Sequence, residues 1–186
     1  MPLYTGRGDT GTTKLFDSKA GERLSKGDVM FEALGTLDEL NSVIGWCKVA
    51  CKPSFTVAGR PVRDIVHELQ DHLFTVQAEL AGADKTIHEW SVRDMSIAVH
   101  FIQSKLPPIT TFSVAGGTEL SARFDIARTI ARRAERRVVT VHESGVRAVG
   151  ESTRAYMNRL SSLLFALARF ANEEAGVAET APNYKA

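Results

Sequence analysis

Two stretches of this chain carry residue types able to hold an anion. RGDTGTT, Arg7 to Thr13, sets Gly8 and Gly11 beside the carboxylate of Asp9 and a run of threonine hydroxyls, so several backbone N–H groups can face a phosphate. RTIARRAERR places Arg128, Arg132 and Arg136 at i, i+4 and i+8, where helical geometry stacks the guanidiniums on one face, with Glu135 beside them. Like charges at that spacing repel unless carboxylates or a ligand anion sit between them. Each stretch also has a plain reading, a solvated N-terminal arm for the first and a solvated basic face for the second.

RGDTGTT is not a P-loop, which needs a strand before it and a GK[ST]-headed helix after it. Only MPLYTG precedes the stretch, and the polar, glycine-broken KLFDSKAGERLSKGD follows. A phosphate bound here must draw further positive charge from elsewhere in the chain or from another copy of it.

Polar stripes recur on two more helical segments. Arg154, Asn158, Ser161, Phe165 and Arg169 follow 3 to 4 spacing, and Asp38, Asn41 and Gly45 do the same nearer the N-terminus. Three striped helices suggest a site between helices or between subunits.

The elements that must position these residues are helical. Apolar spacing predicts helices over about Asp28–Ala50, with Gly35 a possible kink, from Arg60-Pro61 with proline at N1 to Gly82, and over about Ser91–Lys105. A fourth runs from Thr118 to about Glu143 with Leu120, Ile126, Ile130, Ala134, Val138 and Val141 inward, and a fifth from a Ser152-Thr153 N-cap to Gly176. No convincing alternating strand appears, so the fold class is all-α, an up-and-down bundle of about five helices. Residues 1–27 form an extended arm, 28–176 the bundle and 177–186 a loose tail.

At 186 residues the chain suits one domain, and 23 basic against 22 acidic residues, a formal charge of +1, make no global call for nucleic acid or an anionic membrane. Cys47 and Cys51 read as packed core thiols. The absence of a signal segment or an apolar run of about 18 residues points to a soluble, cytoplasmic protein.

The motifs YTGRGDTGTTKL, LSKGDVMFEALGTLDELNSVIG, FSVAGGTELSARFDIARTIARRAERRVV and YMNRLSSLLFALAR, in that order, resemble the PduO-type ATP:cob(I)alamin adenosyltransferases over nearly the whole chain. The resemblance implies a homotrimer with a site at each subunit interface, built from one chain's arm and the neighbour's helices. Thr5, Gly6, Arg7, Gly8, Asp9, Gly11, Thr13 and Lys14 match the arm that wraps ATP in that family, and Lys26 its phosphate lysine. Arg132, Glu135, Arg136 and Asn158 match its other nucleotide contacts. Phe112 matches the aromatic that covers the lower face of cobalt, and Asp38 with Arg128 an ion pair shaping the cobalamin pocket across the interface.

Also implied are Mg2+ held mainly by the ATP phosphates, an external reductase for cob(II)alamin and an adenosylcobalamin-dependent enzyme as recipient. Three departures stand out: VAGGT where the family commonly has LPGGT, NRLSS where it has NRLSD, and FDSKAGE in place of a glycine-rich turn. The implied activity is transfer of the 5'-deoxyadenosyl group of ATP to cob(I)alamin. Such chemistry needs no general base, and His67, His72, His88, His100 and His142 form no nucleophile–base–orienter pattern. The alternative is an ATP-binding regulatory or cobalamin-carrier bundle without transfer. A ferritin-like metal bundle needs repeated Glu-x-x-His, and only Asp64 to His67 approaches it.

Overall fold

The computed structural model describes residues 3–184. An N-terminal arm carries strands β1 (Thr12–Thr13) and β2 (Leu24–Ser25), followed by helix α1 (Val29–Ala50), a hairpin of β3 (Thr56–Val57) and β4 (Arg60–Pro61), then α2 (Val62–Leu80), α3 (Glu89–Gln103), α4 (Glu119–Glu143) and α5 (Glu151–Glu174). Helix α4 packs between α1 and α5, α2 lies on α1, and α3 lies on α5. Their apolar stripes meet in one core, where Met30, Leu37, Phe124, Tyr156 and Leu160 are fully buried. No helix among the described residues is long and apolar enough to cross a membrane.

Local chemistry explains the starts of α1 and α4. Asp28 caps α1 by accepting the Met30 N–H at 2.9 Å, and Thr118 caps α4 by accepting the Ser121 N–H at 3.1 Å. Helix α1 continues through Gly35. Pro61 is the N-cap of α2, not its first helical residue, because Arg60 and Pro61 pair antiparallel with Val57 and Thr56 around a turn whose Ala58 and Gly59 both have positive φ (50° and 79°).

Helix α5 starts two to three residues earlier than Ser152-Thr153 capping predicts. Its N-cap is Gly150, whose N–H donates to Glu79 Oε1 at 2.7 Å while the Thr153 hydroxyl donates to Glu79 Oε2 at 2.5 Å. A carboxylate from α2 thus supplies the cap and the favourable charge at the α5 N-terminus. Helix α3 starts earlier than expected, with Ser91 buried inside it. Ile126, expected inward, is 44% exposed, since the buried stripe of α4 runs through Phe124, Ala127, Ala131, Ala134 and Val138.

The arm folds back on itself. Thr12 pairs with Ser25 and Thr13 with Leu24, and the Lys26 N–H donates to Gly11 O at 2.9 Å. Leu15 is buried, and Asp17 bonds Arg147 at 2.7 Å. Asp17 rests directly on Gly82, where a Cβ would lie 2.2 Å from its Cγ and φ is +92°, so only glycine fits. Beyond α5, Glu179 bonds Arg169 and the Thr180 carbonyl accepts the Val114 N–H at 2.8 Å; residues 185–186 of the expected tail lie outside the described residues.

Candidate active site on the α4–α5 face

Antiparallel α4 and α5 bring the two sequence-distant polar stripes together. The Asn158 side-chain amide donates to Glu135 Oε1 at 2.8 Å, and Arg136 Nη1 donates to Arg132 O at 3.0 Å. Arg132, Glu135, Arg136 and Asn158, with Val139 and Thr140, line one open groove of about 450 Å³. The five arginines of RTIARRAERR divide between two sides. Arg133 and Arg137 pair with Glu39 and Glu32 of α1, whereas among the described residues Arg132 and Arg136 take part in no ion pair. Two cations on one groove wall, with Glu135 held by Asn158, leave a local positive field fit for a polyanion.

A second groove of about 360 Å³ continues from Arg132 toward the α3–α4 loop, walled by Ile109, Phe112 and Phe165 on its apolar side and by Arg128, Arg132 and Ser161 on its polar side. Phe112 is 78% exposed on that loop. Arg128 donates to Asp125 Oδ1 at 3.2 Å and lies over the Phe165 ring, 5.7 Å from its centroid. Its carboxylate partner within the chain is therefore Asp125, and Asp38 lies on the exposed face of α1.

The α1 stripe does not face this groove as a unit. Asn41 is buried and exchanges side-chain and backbone bonds with Gln70 of α2 at 2.9 to 3.1 Å, and a Cβ on Gly45 would lie 3.1 Å from Gln70 Nε2. These two residues serve the α1–α2 contact, contrary to the reading of one ligand-facing stripe.

None of the residues lining either groove comes from the arm. In the arm, Gly6 and Gly11 have φ of +66° and +76°, and two successive turns form as the Asp9 N–H bonds Gly6 O and the Gly11 N–H bonds Gly8 O, each at 3.1 Å. Lys26 Nζ lies against Gly8, where a Cβ would sit 3.0 Å from it. Thr5 accepts weakly from the Arg7 N–H at 3.5 Å, Thr13 lies in β1, and Asp9 and Lys14 complete the predicted set.

Sequence reasoning missed Arg23, which donates to Thr12 Oγ1 at 2.8 Å and to the carbonyls of Arg7 and Thr12 at 2.7 Å, closing the RGDTGTT turn from behind. It also missed Asp125 as the partner of Arg128. Asp125 had a signal in its i, i+3 spacing to Arg128, whereas Arg23 had none beyond its charge.

Displaced pKa values belong to the interior. Burial pushes the Cys47 thiol up to about 12 and the Cys51 thiol up to about 11. Burial also raises Tyr156 and lowers His72, which sits between Tyr156 OH at 3.1 Å and Ser91 Oγ at 3.3 Å. No group of three His, Cys, Asp or Glu among the described residues is placed to hold a metal ion.

The family profile described as Cobalamin adenosyltransferase matches residues 3–171. The chain belongs to the cobalamin adenosyltransferase family. It is 37% identical over 183 residues to the corrinoid adenosyltransferase PduO of Citrobacter freundii, covering 94% of this chain and 51% of that protein. It is 35% identical over 181 residues to the corrinoid adenosyltransferase of Bacillus subtilis, covering 96% and 91%. The chain thus spans about half the length of the first relative and nine-tenths of the second. Family members of known structure share its fold. A variant PduO-type ATP:corrinoid adenosyltransferase from Lactobacillus reuteri, complexed with cobalamin and ATP, superposes with a TM-score of 0.87 at 28% identity, covering 98% of this chain and 99% of that one. A second variant, complexed with ATP, gives 0.86 at 29% identity with coverages of 97% and 100%.

Proposed function

We propose that this chain transfers the 5'-deoxyadenosyl group of ATP to cob(I)alamin, yielding adenosylcobalamin and triphosphate. The observation that carries the proposal is the sharing of Arg132 between two grooves, one polar with Glu135, Arg136 and Asn158, the other part apolar with Phe112 and Phe165. Adjoining polar and part-apolar subsites suit a nucleotide beside the apolar face of a large macrocyclic co-substrate. The relatives named for this reaction, and the similar structures holding cobalamin and ATP, support the same assignment.

In the proposed reaction Co(I) of the substrate attacks ribose C5', its electron pair forms the cobalt–carbon bond, and the C5'–O bond breaks with its pair going to the triphosphate. Cobalt passes formally from Co(I) to Co(III). No proton leaves the nucleophile, so the protein's task is to align C5' and to neutralise charge on the leaving group. Arg132 and Arg136 are suited to the second task, together with Lys26 and the arm's backbone N–H groups. Mg2+ is proposed to be held mainly by the ATP phosphate oxygens, as hard cations bound with nucleotide phosphates commonly are.

Because the grooves take no residue from the arm, the arm is proposed to reach the groove of a neighbouring copy in a homotrimer, with Asp38 meeting Arg128 across that interface. Cob(II)alamin would be reduced by an external reductase, and Phe112 would cover the lower face of cobalt to ease that reduction. An adenosylcobalamin-dependent enzyme is the proposed recipient of the product. The test is formation of adenosylcobalamin, followed by absorbance, from ATP, Mg2+ and chemically reduced cobalamin. ATP binding without transfer would favour a carrier or regulatory bundle.

A further inference from the structure

The Phe112 loop is a partition between two cavities. Ile109, Phe112 and Phe165 line the groove on the α4–α5 face and also a second space of about 370 Å³ behind the loop, closed by residues 177–181. Among the described residues, none of residues 108–113 makes a hydrogen bond, so the loop is held only at its ends. On the near side, Arg169 Nη2 donates to Pro107 O at 3.0 Å. On the far side, the Val114 N–H donates to Thr180 O at 2.8 Å.

Arg169 and Glu179 join these two anchors. Arg169 is 7% exposed, and its guanidinium holds Glu179 by three bonds of 2.8 to 3.0 Å, Nε to both carboxylate oxygens and Nη2 to Oε2. A fork of that kind is rigid as well as strong, and it fixes the residue immediately before Thr180. Beyond Val114 a separate clamp takes over. Asn172 accepts the Thr118 N–H at 2.9 Å and donates to Gly116 O at 2.8 Å, against Gly117, whose φ of +110° and contact with Asn172 admit no side chain.

We propose that Arg169 and Glu179 are positioning residues for the reaction: by locking the segment after α5 against the loop, they set where Phe112 stands in the groove. The proposal rests on the transferase reading for its catalytic consequence, but the lock itself is independent of it. Residues 177–181 then form a strut whose removal frees the middle of the loop and leaves its α4 end in place.

Hydrogen exchange and turnover of Glu179→Ala test this together. Val114 amide exchange should rise about tenfold or more while Thr118, held by Asn172, stays within twofold. Adenosylation should fall about tenfold when cob(II)alamin is supplied with a mild reduced-flavin donor and less than twofold when cob(I)alamin is prepared with borohydride. Glu179→Gln, which keeps one acceptor oxygen for Arg169, should recover part of both losses. In the Phe112→Ala background, adding Glu179→Ala should cost less than a further twofold, since both changes act on the same ring. Unchanged Val114 exchange overturns the lock, and multiplicative losses in the double variant overturn action through Phe112. If the wild-type protein makes no adenosylcobalamin, the transferase reading fails, yet Val114 exchange still decides the lock.

Discussion

Asn158 on α5 donates its side-chain N–H to Glu135 on α4 at 2.8 Å, across a gap of 23 residues in sequence. The bond fixes the amide, turning its carbonyl oxygen away from Glu135 as an acceptor on the groove wall, and it keeps the carboxylate from folding over Arg132 and Arg136.

Arg132→Ala should therefore weaken ATP binding about ten- to a hundredfold, the loss of a charge-assisted contact worth ~1.5–3 kcal/mol. Asn158→Ala should weaken it about five- to tenfold, by removing a hydrogen bond of roughly 1 kcal/mol and releasing Glu135 beside the phosphates. Calorimetric titration with ATP, alongside unchanged helical circular dichroism, is the check. Full affinity in both variants would remove these residues from the nucleotide site.

How far the sequence reveals this protein differs from element to element. The arginines of α4 were legible because i, i+4 spacing alone puts them on one face, and Asp28 and Thr118 announce their helices by cap chemistry. The hairpin Thr56–Pro61 was not, since its turn uses Ala58 at φ +50°, a conformation alanine does not advertise. The cap on α5 comes from Glu79, more than seventy residues upstream, and no local pattern can show it. Asn41 and Gly45 follow Asp38 at helical spacing, but helix packing, invisible to periodicity, turns these two onto Gln70 while Asp38 stays exposed.

Phe112→Ala should impair adenosylation from cob(II)alamin with a reductase far more than from chemically prepared cob(I)alamin. An apolar ring below cobalt disfavours a lower ligand and helps reduction, whereas attack on C5' takes place on the opposite face. Comparing initial rates under the two regimes gives the answer. Equal losses would point to a general binding role for the ring.

In solution the protein should have about three times the chain mass of 20.3 kDa by light scattering, and ATP should protect the arm from trypsin at Arg7 and Lys14. On the proposed reading, the arm serves the groove of a neighbouring copy, since neither groove takes a residue from it. A monomer with full activity would exclude the shared site.

His72 adds a pH dependence to stability. Burial lowers its pKa below the ordinary 6.5, against the opposing pull of Glu68, Asp71 and Asp94, so the unfolded chain binds more protons in the window just below 6.5. The associated stability is present above pH 6.5 and is lost as pH falls toward the folded-state value. Urea unfolding at pH 7.5 and 5.5 should show a smaller drop for His72→Gln than for the wild type. An equal drop in both would mean that His72 contributes nothing to acid sensitivity.

Transfer of the adenosyl group is read directly from the absorbance change of chemically reduced cobalamin mixed with the protein, ATP and Mg2+. The spectrum should convert to that of adenosylcobalamin, dependent on ATP and accompanied by one triphosphate per cobalamin, with the rate sharply reduced in Arg132→Ala. Tight ATP binding with no adenosylcobalamin formed would contradict it.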